Sequence, residues 1–504
     1  MSFFTRAFTA LTLFLLLTGA PILSGFAQAT TRNSPIHAQV ELGGWAATAR
    51  PQPFCLRANQ WGVVPLSTPA ATLRVGAWKE YAERAPADTL ANRKRHRWGW
   101  GFGINPVVNA GSRTQVLLPE AYVKGKWGGV ELSVGRRRAL IGLGDSTLSS
   151  GFVAGSGNAL PLPKVQLATR GYLPLGFLRN WLAVNAGYAH GWFNVPYIQG
   201  SYLHQKYLYL RFGRPTGPVQ VHLGLNHQVQ WAGYADYLKE FPDRAVNGKL
   251  PSSFRHYGTM ILAQYPEYWQ SSDYSSFDGA YRIGNHVGSA DGAVELHTGL
   301  GNWLLYHQHV YEDLSGLLFI NGLDGLTGLS WTREASPSTR RTGGLQRVVL
   351  EHLSTTNQSG PTFDVPNSRY QGGDNYFNHG QYREGWSYLG RSIGTPFIAP
   401  GSELRPDAQS PYFFPNNRVR MWYVGAAGWA FHRLTWTTRF AYSQNYGTFA
   451  YPYATVRNQF SGLLTAHVPL QPGSKTALTA SIALDRGRLL PNTAGGYVGL
   501  VKRW

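Results

Sequence analysis

The sequence predicts an all-β fold, a transmembrane antiparallel β-barrel, on three observations. The first is a long segment, Val219–Ala232, in which apolar residues alternate with polar ones. Alternate side chains of a strand point to opposite faces, so this segment would separate lipid from water. The second is the lack of a long apolar helix after the N-terminal region, since only helices and closed barrels satisfy their backbone groups in lipid. The third is composition, because 59 glycines and 14% aromatic residues suit tight turns and interfacial girdles.

Residues 1–29 have the pattern of a secretory signal peptide. A positive N-terminal region precedes the apolar run Ala7–Leu17, and small residues then predict cleavage after Ala27 or Ala29. An uncleaved membrane anchor is the alternative interpretation. The remaining residues, 30–504, contain no linker and no clear repeat, and we expect them to form a single outer-membrane β-barrel domain.

Shorter segments elsewhere repeat the two-residue period. A Gly128-Gly129 turn separates Tyr122–Lys126 from Val130–Gly135, which predicts a hairpin. The faces opposite the apolar ones carry Arg, Asn, Thr and His, as the wet interior of a barrel allows. The other segments that predict strands are Leu182–Tyr188, Tyr207–Phe212, Leu434–Ser443 and Leu478–Asp485.

The last segment of the sequence predicts an amphipathic strand. Val498, Leu500 and Trp504 fall on one face, which Lys502 interrupts. A terminal aromatic residue on such a strand resembles the signal by which the barrel-insertion machinery recognises bacterial barrels. We therefore expect that machinery to be a partner of this chain.

Two stretches without the alternation predict short helices. They are Tyr234–Phe241, which ends before Pro242, and Pro251–Tyr265, with Ser252 or Ser253 as its N-cap. We expect these helices near the lumen or at the periplasmic mouth. An ordinary loop with helical turns is the alternative.

The chain is strongly basic, with 46 Lys and Arg against 26 Asp and Glu and a formal charge of +20. A secretory signal argues against nucleic acid as the partner of this charge. The better partners are an acidic glycan, or outer-membrane lipid through the phosphates of lipopolysaccharide. Basic clusters at 93–97, 136–138 and 340–341 would attract either one, and charge spread over loops for solubility is the alternative.

Three segments together resemble one known family. They are Pro53–Gly62, Tyr311–Gly316 running on through Asn321–Leu326, and Gly373–Trp386. In this order, and over the whole mature length, they are similar to the capsule-assembly Wzi family of Gram-negative outer membranes. The resemblance implies a bacterial outer-membrane barrel of about 18 strands with some helical elements. It also implies a lectin that holds capsular polysaccharide at the cell surface, rather than an enzyme.

The third of these segments contains the candidate binding residues. Planar polar groups hold sugar hydroxyls, and aromatic faces stack on the C–H side of a sugar ring. Arg383 would bind the carboxylate of an acidic sugar through a bidentate contact. A structural turn folded over the barrel mouth is the alternative. The predicted polysaccharide-binding residues are Asp374, Asn375, Tyr376, Asn378, His379, Tyr382, Arg383 and Trp386.

Other histidines and carboxylates predict no metal site and no catalytic group. His307 and His309 share one strand face but lack a third ligand, so we interpret them as hydrogen-bonded histidines of the lumen. Glu312 and Asp313 would point to opposite faces of a strand, and nothing in the sequence pairs two carboxylates for glycoside hydrolysis. No G-x-S-x-G elbow is present. We therefore predict no enzymatic activity, no metal and no cofactor.

The leading hypothesis is an outer-membrane barrel that binds and organises capsular or other surface polysaccharide. The alternative is an anion-favouring porin or transport channel, whose cationic lumen would select anions. A secreted, soluble carbohydrate-active enzyme is a third class. Single-channel conductance distinguishes the first two functions. A lumen filled by loops or helical stretches would conduct little, whereas a porin would conduct steadily.

Overall fold

The strands of the wall pair into one closed antiparallel sheet. The computed structural model describes residues 35–81, 97–264, 274–334, 343–362, 372–431 and 433–504. Strands that follow each other in sequence pair with one another, and the first pairs with the last, Leu42 lying opposite Leu500. The predicted antiparallel barrel is confirmed. The strands are β1 (Ile36–Ala47), β2 (Ala70–Lys79), β3 (Trp98–Ala110), β4 (Gln115–Trp127), β5 (Val130–Arg136), β6 (Pro163–Thr169), β7 (Leu173–Pro174), β8 (Leu182–Val195), β9 (Ile198–Phe212), β10 (Val219–Trp231), β11 (Asn285–Thr298), β12 (Gly301–Tyr311), β13 (Gly325–Thr332), β14 (Gly343–Ser354), β15 (Ser387–Tyr388), β16 (Arg391–Ser392), β17 (Val419–Ala430), β18 (Leu434–Gly447), β19 (Pro452–Pro469), β20 (Thr476–Gly487) and β21 (Thr493–Arg503).

The 19 strands of this sheet occupy 18 positions around the wall of the described residues. The reason is that β6 and the two-residue β7 both pair with β8, so they act as one interrupted strand. A separate hairpin, β15 with β16, lies in a loop. The count agrees with the barrel of about 18 strands that the family resemblance implies.

Strand β10 has the two faces that its sequence predicts. Val221, Leu223 and Leu225 point outward, with 36%, 51% and 42% of their surface exposed to the membrane side. On the other face, the Asn226 amide donates hydrogen bonds to the hydroxyls of Tyr209 (3.1 Å) and Ser289 (2.6 Å) on the neighbouring strands. An apolar outer band around a hydrogen-bonded interior is the arrangement of a transmembrane barrel.

The two mouths of the barrel differ in the length of their connections. Tight turns such as Gly128-Gly129 and Gly299-Leu300 join strands at one end, which we call the short-turn mouth. Connections of up to 64 residues, including 232–284 and 355–418, join strands at the other end, the long-loop mouth. Barrels of bacterial outer membranes keep short turns on the periplasmic side, so we assign the long-loop mouth to the cell exterior.

Tryptophans gather on the outer face near the short-turn mouth. Trp98 and Trp127 stack there with ring centroids 6.0 Å apart, and Lys79 lies 3.6 Å above the Trp100 ring. Indole rings favour the boundary between lipid tails and water, where one edge is apolar and the other wet. The other tryptophans on this part of the outer face are Trp181, Trp303, Trp331 and Trp504.

Three long loops, 48–69, 137–162 and the described part of 355–418, fold into the lumen and form what we call the plug. Lumen-facing side chains of the wall accept hydrogen bonds from its backbone. Gln308 accepts from Val153 N at 2.9 Å, Asp291 accepts from Leu143 N at 3.0 Å, and Glu351 accepts from Ser150 N at 2.6 Å. The polar interior of the wall thus serves to hold these loops.

The plug loops also bind one another. A buried carboxylate, Glu403, lies between two buried guanidinium groups and accepts hydrogen bonds from Arg57 and Arg391, the latter at 3.0 Å. Trp61 N donates to Gly157 O, which joins the first loop to the second. Buried ions need partners of opposite charge, and here the partners come from different loops. The plug is therefore one packed body rather than three separate segments.

The short helices lie mainly among the long loops. They are α1 (Phe54–Arg57), α2 (Phe254–Ile261), α3 (Ser276–Tyr281) and α4 (Leu314–Leu317), and Asp236–Glu240 forms a 3₁₀ helix. The predicted helices at Tyr234–Phe241 and Pro251–Tyr265 are thus present in shortened form, and Ser253 is the N-cap of α2. Helix α1, which the sequence did not predict, is inside the lumen. The others lie at the long-loop mouth or on the outer wall rather than at the periplasmic mouth, because they belong to the long connections.

Helix α2 packs against the outside of the barrel wall. Met260 is fully buried there, and the Tyr257 hydroxyl lies 2.7 Å from that of Tyr188 on β8. The helix covers outward-facing polar residues of β8 and β9, because Tyr257 lies against the rings of His190 and His204. Polar side chains at this height would otherwise face lipid, so the helix shields them.

The histidines of β12 are not in the lumen, which corrects the sequence-based interpretation. His307 and His309 share the outward face of Leu305, whereas Gln308 between them reaches the plug. His309 donates from Nε2 to Gly316 O at 2.8 Å, and Phe319 stacks on its ring. The sequence shows that two residues share a face but not which medium that face meets, because a loop can cover part of the outer wall.

Some predictions fall on residues that the structure does not describe. They are the signal peptide 1–29 with its cleavage site, most of the basic cluster 93–97, and the cluster 340–341. The division into a signal peptide and a single barrel domain therefore stays a prediction. Among the described residues, no helix has the length and apolar character needed to cross a membrane.

Candidate functional site

A large pocket opens at the long-loop mouth. Its volume is about 700 Å³, and its walls come from the connections 232–284, 312–324 and 355–418. We call it the outer pocket. Ligand sites in proteins are concave and commonly have volumes of several hundred Å³, so this pocket is large enough to hold part of a polymer chain.

The segment 372–386 forms one side of the outer pocket and is held by backbone hydrogen bonds. Asp374 N donates to Gln358 O at 3.0 Å, and Trp386 N donates to Phe377 O at 2.8 Å. Gly385 permits the second contact, because its φ is +55° and a Cβ there would lie 1.8 Å from Phe377 O. The segment is therefore fixed at both ends rather than free in solvent.

Five of the eight predicted binding residues line the outer pocket. Two hydrogen bonds with the backbone of Phe414 fix the Asn378 side chain. Asn378 Nδ2 donates to Phe414 O at 3.0 Å, and Asn378 Oδ1 accepts from Phe414 N at 3.1 Å. The Asn375 Oδ1 accepts hydrogen bonds from the amides of Asn417 at 2.6 Å and of Asn378 at 3.0 Å. These amides are held in place before any ligand arrives. The five residues are Asp374, Asn375, Asn378, His379 and Arg383.

The other three predicted residues lie behind the pocket. Tyr376, Tyr382 and Trp386 are at most 1% exposed. The Tyr382 hydroxyl donates to Ala232 O at 3.1 Å, and Trp386 Nε1 donates to Ala154 O at 2.9 Å in the plug. They join the pocket to the plug and to the wall, and the structure does not bring them into contact with the pocket space.

Three carboxyl groups meet at the floor of the outer pocket: Glu312, Asp313 and Asp374. The chain leaves β12 at Tyr311, so Glu312 and Asp313 are no longer on a strand and do not face opposite ways. Asp313 caps helix α4 by accepting hydrogen bonds from Ser315 N at 2.7 Å and from Gly316 N at 3.2 Å. The sequence predicts no pair of carboxylates, whereas the structure places all three around one space.

The environment of this floor favours protonated carboxyl groups. Burial, together with the nearby Asp313, raises the pKa of Glu312 to about 8, against the effect of a hydrogen bond from Phe377 N. Burial and the charges of Asp313 and Glu312 raise the pKa of Asp374 well above its usual range. A neutral carboxyl group both donates and accepts hydrogen bonds, as a sugar hydroxyl does.

Aromatic rings also line the outer pocket, beside the segment 372–386. Phe277 and Tyr281 are one turn apart on helix α3 and stack with ring centroids 4.2 Å apart and planes 20° apart. Tyr237 and Phe241 line the same space from the 3₁₀ helix and its end, and Tyr281 and Phe241 are about 40% and 38% exposed. Exposed flat rings beside fixed polar groups suit a ligand with one apolar and one polar edge.

Two arginines border the outer pocket. The Arg383 guanidinium lies 5.1 Å from the Tyr237 ring centroid, and Arg244 lies 4.6 Å from that of Phe241. His379 adds no charge at neutral pH, because burial, then the neighbouring His286 and Arg244, lowers its pKa to about 3. The positive charge near the pocket therefore comes from planar guanidinium groups, which suit carboxylates.

Sequence reasoning missed most of the aromatic side. Tyr237 with Phe241, and Phe277 with Tyr281, are each spaced by four residues, the spacing that places two side chains on one helical face. That signal was available in the sequence. Their meeting with Asp374 was not, because it depends on how the loops 232–284 and 355–418 fold over each other.

The described residues contain no group of three or more His, Cys, Asp or Glu side chains arranged to hold a metal ion. Cys55 is a buried free thiol in helix α1 of the plug. The side chains that line the outer pocket offer hydrogen bonding, ring stacking and charge pairing.

Comparison with known proteins supports the fold. No model of a known family matches the chain, and no curated protein matches it. Among solved structures, the chain is similar to Wzi, an outer membrane protein involved in group 1 capsule assembly in Escherichia coli and described as a carbohydrate-binding β-barrel. The TM-score is 0.57 and the identity 13%, over 92% of this chain and 83% of that one. This fold is an outer-membrane β-barrel.

Outer-membrane proteins of the Occ type also match. OccAB2 of Acinetobacter baumannii is 9% identical over 95% of this chain and 99% of that one, with a TM-score of 0.45. OccD3 (OpdP) of Pseudomonas aeruginosa is 9% identical over 95% and 93%, with a TM-score of 0.43. The resemblance to the Wzi barrel that the sequence motifs indicate is confirmed at the level of the fold.

Proposed function

We propose that this barrel binds a stretch of capsular or other surface polysaccharide in the outer pocket and holds the polymer at the cell surface without altering it. The observation that carries the proposal is the pocket of about 700 Å³, whose lining combines stacked aromatic rings with fixed amides and carboxyl groups. A sugar ring has an apolar C–H face and a rim of hydroxyls, which matches these two kinds of side chain. The carbohydrate binding described for the similar Wzi barrel supports the same function.

The charges of the outer pocket favour a polymer that carries carboxylates. Arg244 and Arg383 stand on its border, and the floor carboxyl groups Glu312 and Asp374 lose part of their negative charge through their raised pKa values. Arginine binds carboxylates in a bidentate manner. We therefore infer that acidic sugars bind more tightly than neutral ones of equal length.

Binding measurements on the purified barrel test the proposal. We expect the protein to bind acidic oligosaccharides on a glycan array and in calorimetry, and Tyr281→Ala and Arg383→Ala to weaken this binding roughly three- to tenfold each. Phe177→Ala and Arg214→Ala are the matched controls, because they remove an exposed ring and an exposed arginine at the short-turn mouth. Equal affinity in all five proteins would refute the site.

The absence of catalysis is part of the proposal and has its own assay. Glu312, Asp313 and Asp374 share one pocket, so their spacing in the sequence does not exclude glycoside hydrolysis, and this activity must be measured. We expect the protein to leave a bound oligosaccharide intact over a long incubation. If the wild-type protein yields shortened products and the Glu312→Gln variant does not, the protein is a glycosidase rather than a binding protein.

An anion-favouring channel is the second candidate, and one observation favours it. Cations line the lumen beneath the plug, among them Lys124, Lys164 and Arg170. Such a lumen would select anions if the plug opened. Conductance measurements, described below, separate this function from polysaccharide binding.

A further inference from the structure

A second cavity lies in the lumen beneath the plug. Its volume is about 420 Å³, and it extends from Arg137–Ala139, where the chain turns from β5 into the plug, down to Arg170 and Gly171 in the turn after β6. We call it the lower cavity. It shares no lining residue with the outer pocket and lies toward the short-turn mouth, which faces the periplasm.

Positive charge dominates the lower cavity. Five cationic side chains line it against two carboxylates, Glu80 and Glu131. Lys124 pairs with Glu80 at 2.5 Å and Arg137 pairs with Glu131, while Arg138 lies 3.5 Å from Glu120. The five cationic residues are Lys124, Arg137, Arg138, Lys164 and Arg170.

Two of these cations have no carboxylate partner among the described residues. Lys164 Nζ donates instead to the neutral amide oxygen of Gln205 at 2.7 Å. The Arg170 guanidinium lies 4.8 Å from the centre of the Tyr81 ring. Positive groups that enclose a cavity without matching carboxylates favour an anion as its occupant.

The uncharged residues of the lower cavity suit a saccharide. Tyr81, Tyr122 and Tyr207 supply rings, while Gln166 and Asn185 supply amides that can donate and accept hydrogen bonds. A site for a small inorganic anion would not need rings and amides over 420 Å³. The combination matches a sugar that carries a carboxylate.

We propose that the lower cavity is a second binding site, open to the periplasm, for a segment of anionic saccharide. Lys164 and Arg170 bind its carboxylates, and the tyrosines contact its rings. The site does not depend on the function proposed for the outer pocket, because its residues and its access are separate. The barrel would then meet acidic saccharide on both sides of the plug.

Calorimetry on the full-length barrel in zwitterionic detergent tests this site with oligogalacturonate as the probe. The Tyr281→Ala variant serves as the background, because binding in its outer pocket is already weakened. We expect Lys164→Gln with Arg170→Gln to lower the affinity roughly tenfold or more, and higher salt to weaken the remaining binding. Arg214→Gln removes one charge from another short turn and should leave the affinity unchanged.

Other ligands and a second variant define the outcomes. A neutral maltooligosaccharide of the same length should bind at least tenfold more weakly, and inorganic phosphate should compete only at far higher concentration. Equal binding of the neutral sugar, or equal competition by phosphate, would overturn the proposal. Arg170→Glu, an exposed turn position that does not endanger folding, must also weaken oligogalacturonate binding.

The two sites fail in distinguishable ways. Loss of binding in Tyr281→Ala alone, with no effect at Lys164 and Arg170, refutes the lower cavity and leaves the proposed function in place. The opposite pattern refutes the outer pocket. A labelled oligogalacturonate that is too large to cross the outer membrane reaches only the exterior of intact cells. We therefore expect its binding to these cells to be unchanged by Arg170→Gln. Sensitivity in that experiment would contradict the periplasmic access.

Discussion

At the scale of single residues, the floor of the outer pocket is unusual because Glu312 holds its proton near neutral pH. Its usual pKa is 4.5, and burial raises it to about 8. Between these values the folded protein keeps a proton that the unfolded chain releases. The free energy of unfolding therefore falls as pH rises through this window. Above a pH of about 8 the Glu312 proton no longer stabilises the folded protein. The same proton is available as a hydrogen-bond donor to a ligand.

The first prediction concerns this proton and the pH dependence of binding. Saccharide affinity should fall roughly three- to tenfold from pH 7 to pH 9, because Glu312 loses a donor and gains a charge that repels acidic sugars. Glu312→Gln should flatten much of this fall, since an amide donates at every pH. Glu334→Gln, an exposed position at the short-turn mouth, is the control and should follow the wild type.

The second prediction separates support from contact within the segment 372–386. Trp386→Ala removes a fully buried ring and should destabilise the protein by about 3–5 kcal/mol. Trp192→Ala, on the exposed outer wall, should cost much less. Unfolding by heat in dodecyl sulphate measures both. Strong loss of binding in a Trp386→Ala protein of unchanged stability would show that the ring touches the ligand after all.

This division of the segment could not be predicted from the sequence. In a strand or helix the spacing of residues tells which of them share a face, but Asp374–Trp386 is an irregular loop. The density of polar and aromatic residues predicted a binding segment, and part of that segment lines the outer pocket. Which of them reach the outer pocket depends on the hydrogen bonds of Tyr382 and Trp386 to Ala232 and Ala154, far away in the sequence.

At the scale of elements, the lumen-facing residues of the wall hold the plug through a few strong attachments. Glu351 on β14 is one of them, since it accepts hydrogen bonds from Ser149 Oγ at 2.7 Å, Ser150 N at 2.6 Å and the Tyr306 hydroxyl at 2.5 Å. Two of these three donors, Ser149 and Ser150, belong to the loop 137–162, so the buried carboxylate fixes this loop to the wall. Charge-assisted hydrogen bonds of this kind are the stronger ones.

The third prediction is that Glu351→Ala loosens the plug. The substitution leaves buried donors without an acceptor, and each unpaired donor should lower the free energy of unfolding by about 1–3 kcal/mol. We expect faster hydrogen exchange in residues 137–162 and transient current steps across a planar bilayer. Glu295→Ala, which removes a lumen carboxylate that contacts His222 rather than the plug, is the control. Unchanged exchange in Glu351→Ala would mean that the loop is held elsewhere.

Elements were predictable to the extent that their periodicity is visible. The alternation of Val219–Ala232 predicted β10, and Ser253 at the start of α2 was identified as a candidate cap. The positions of the helices were not predictable, because nothing local tells whether a loop folds into the lumen or over the outer wall. For the same reason the outward direction of His307 and His309 was missed.

At the scale of the whole molecule, an 18-position barrel would enclose a water-filled channel if its lumen were empty. The plug occupies that space instead. The strand number came from the family resemblance, since the faint alternation of single barrel strands does not give a count. The closure of β1 on β21 likewise has no local signal, because it joins residues more than 450 positions apart.

The fourth prediction is that the wild-type barrel passes almost no current. Recordings in a planar lipid bilayer should stay near the baseline, and the folded protein should migrate differently before and after heating in dodecyl sulphate. A large and steady conductance with a preference for anions would establish the channel in place of the polysaccharide-binding function. The Glu351→Ala protein serves as the reference for a loosened plug.

The outer pocket is built from connections whose ends run into β10, β11, β12, β13, β14 and β17, six strands that are consecutive neighbours in the wall. A force on a bound polymer would therefore not act on a single loop. It would be shared by a third of the circumference and carried by the hydrogen bonds along whole strands. A tether anchored in this way resists pulling without needing a tight grip at any one residue.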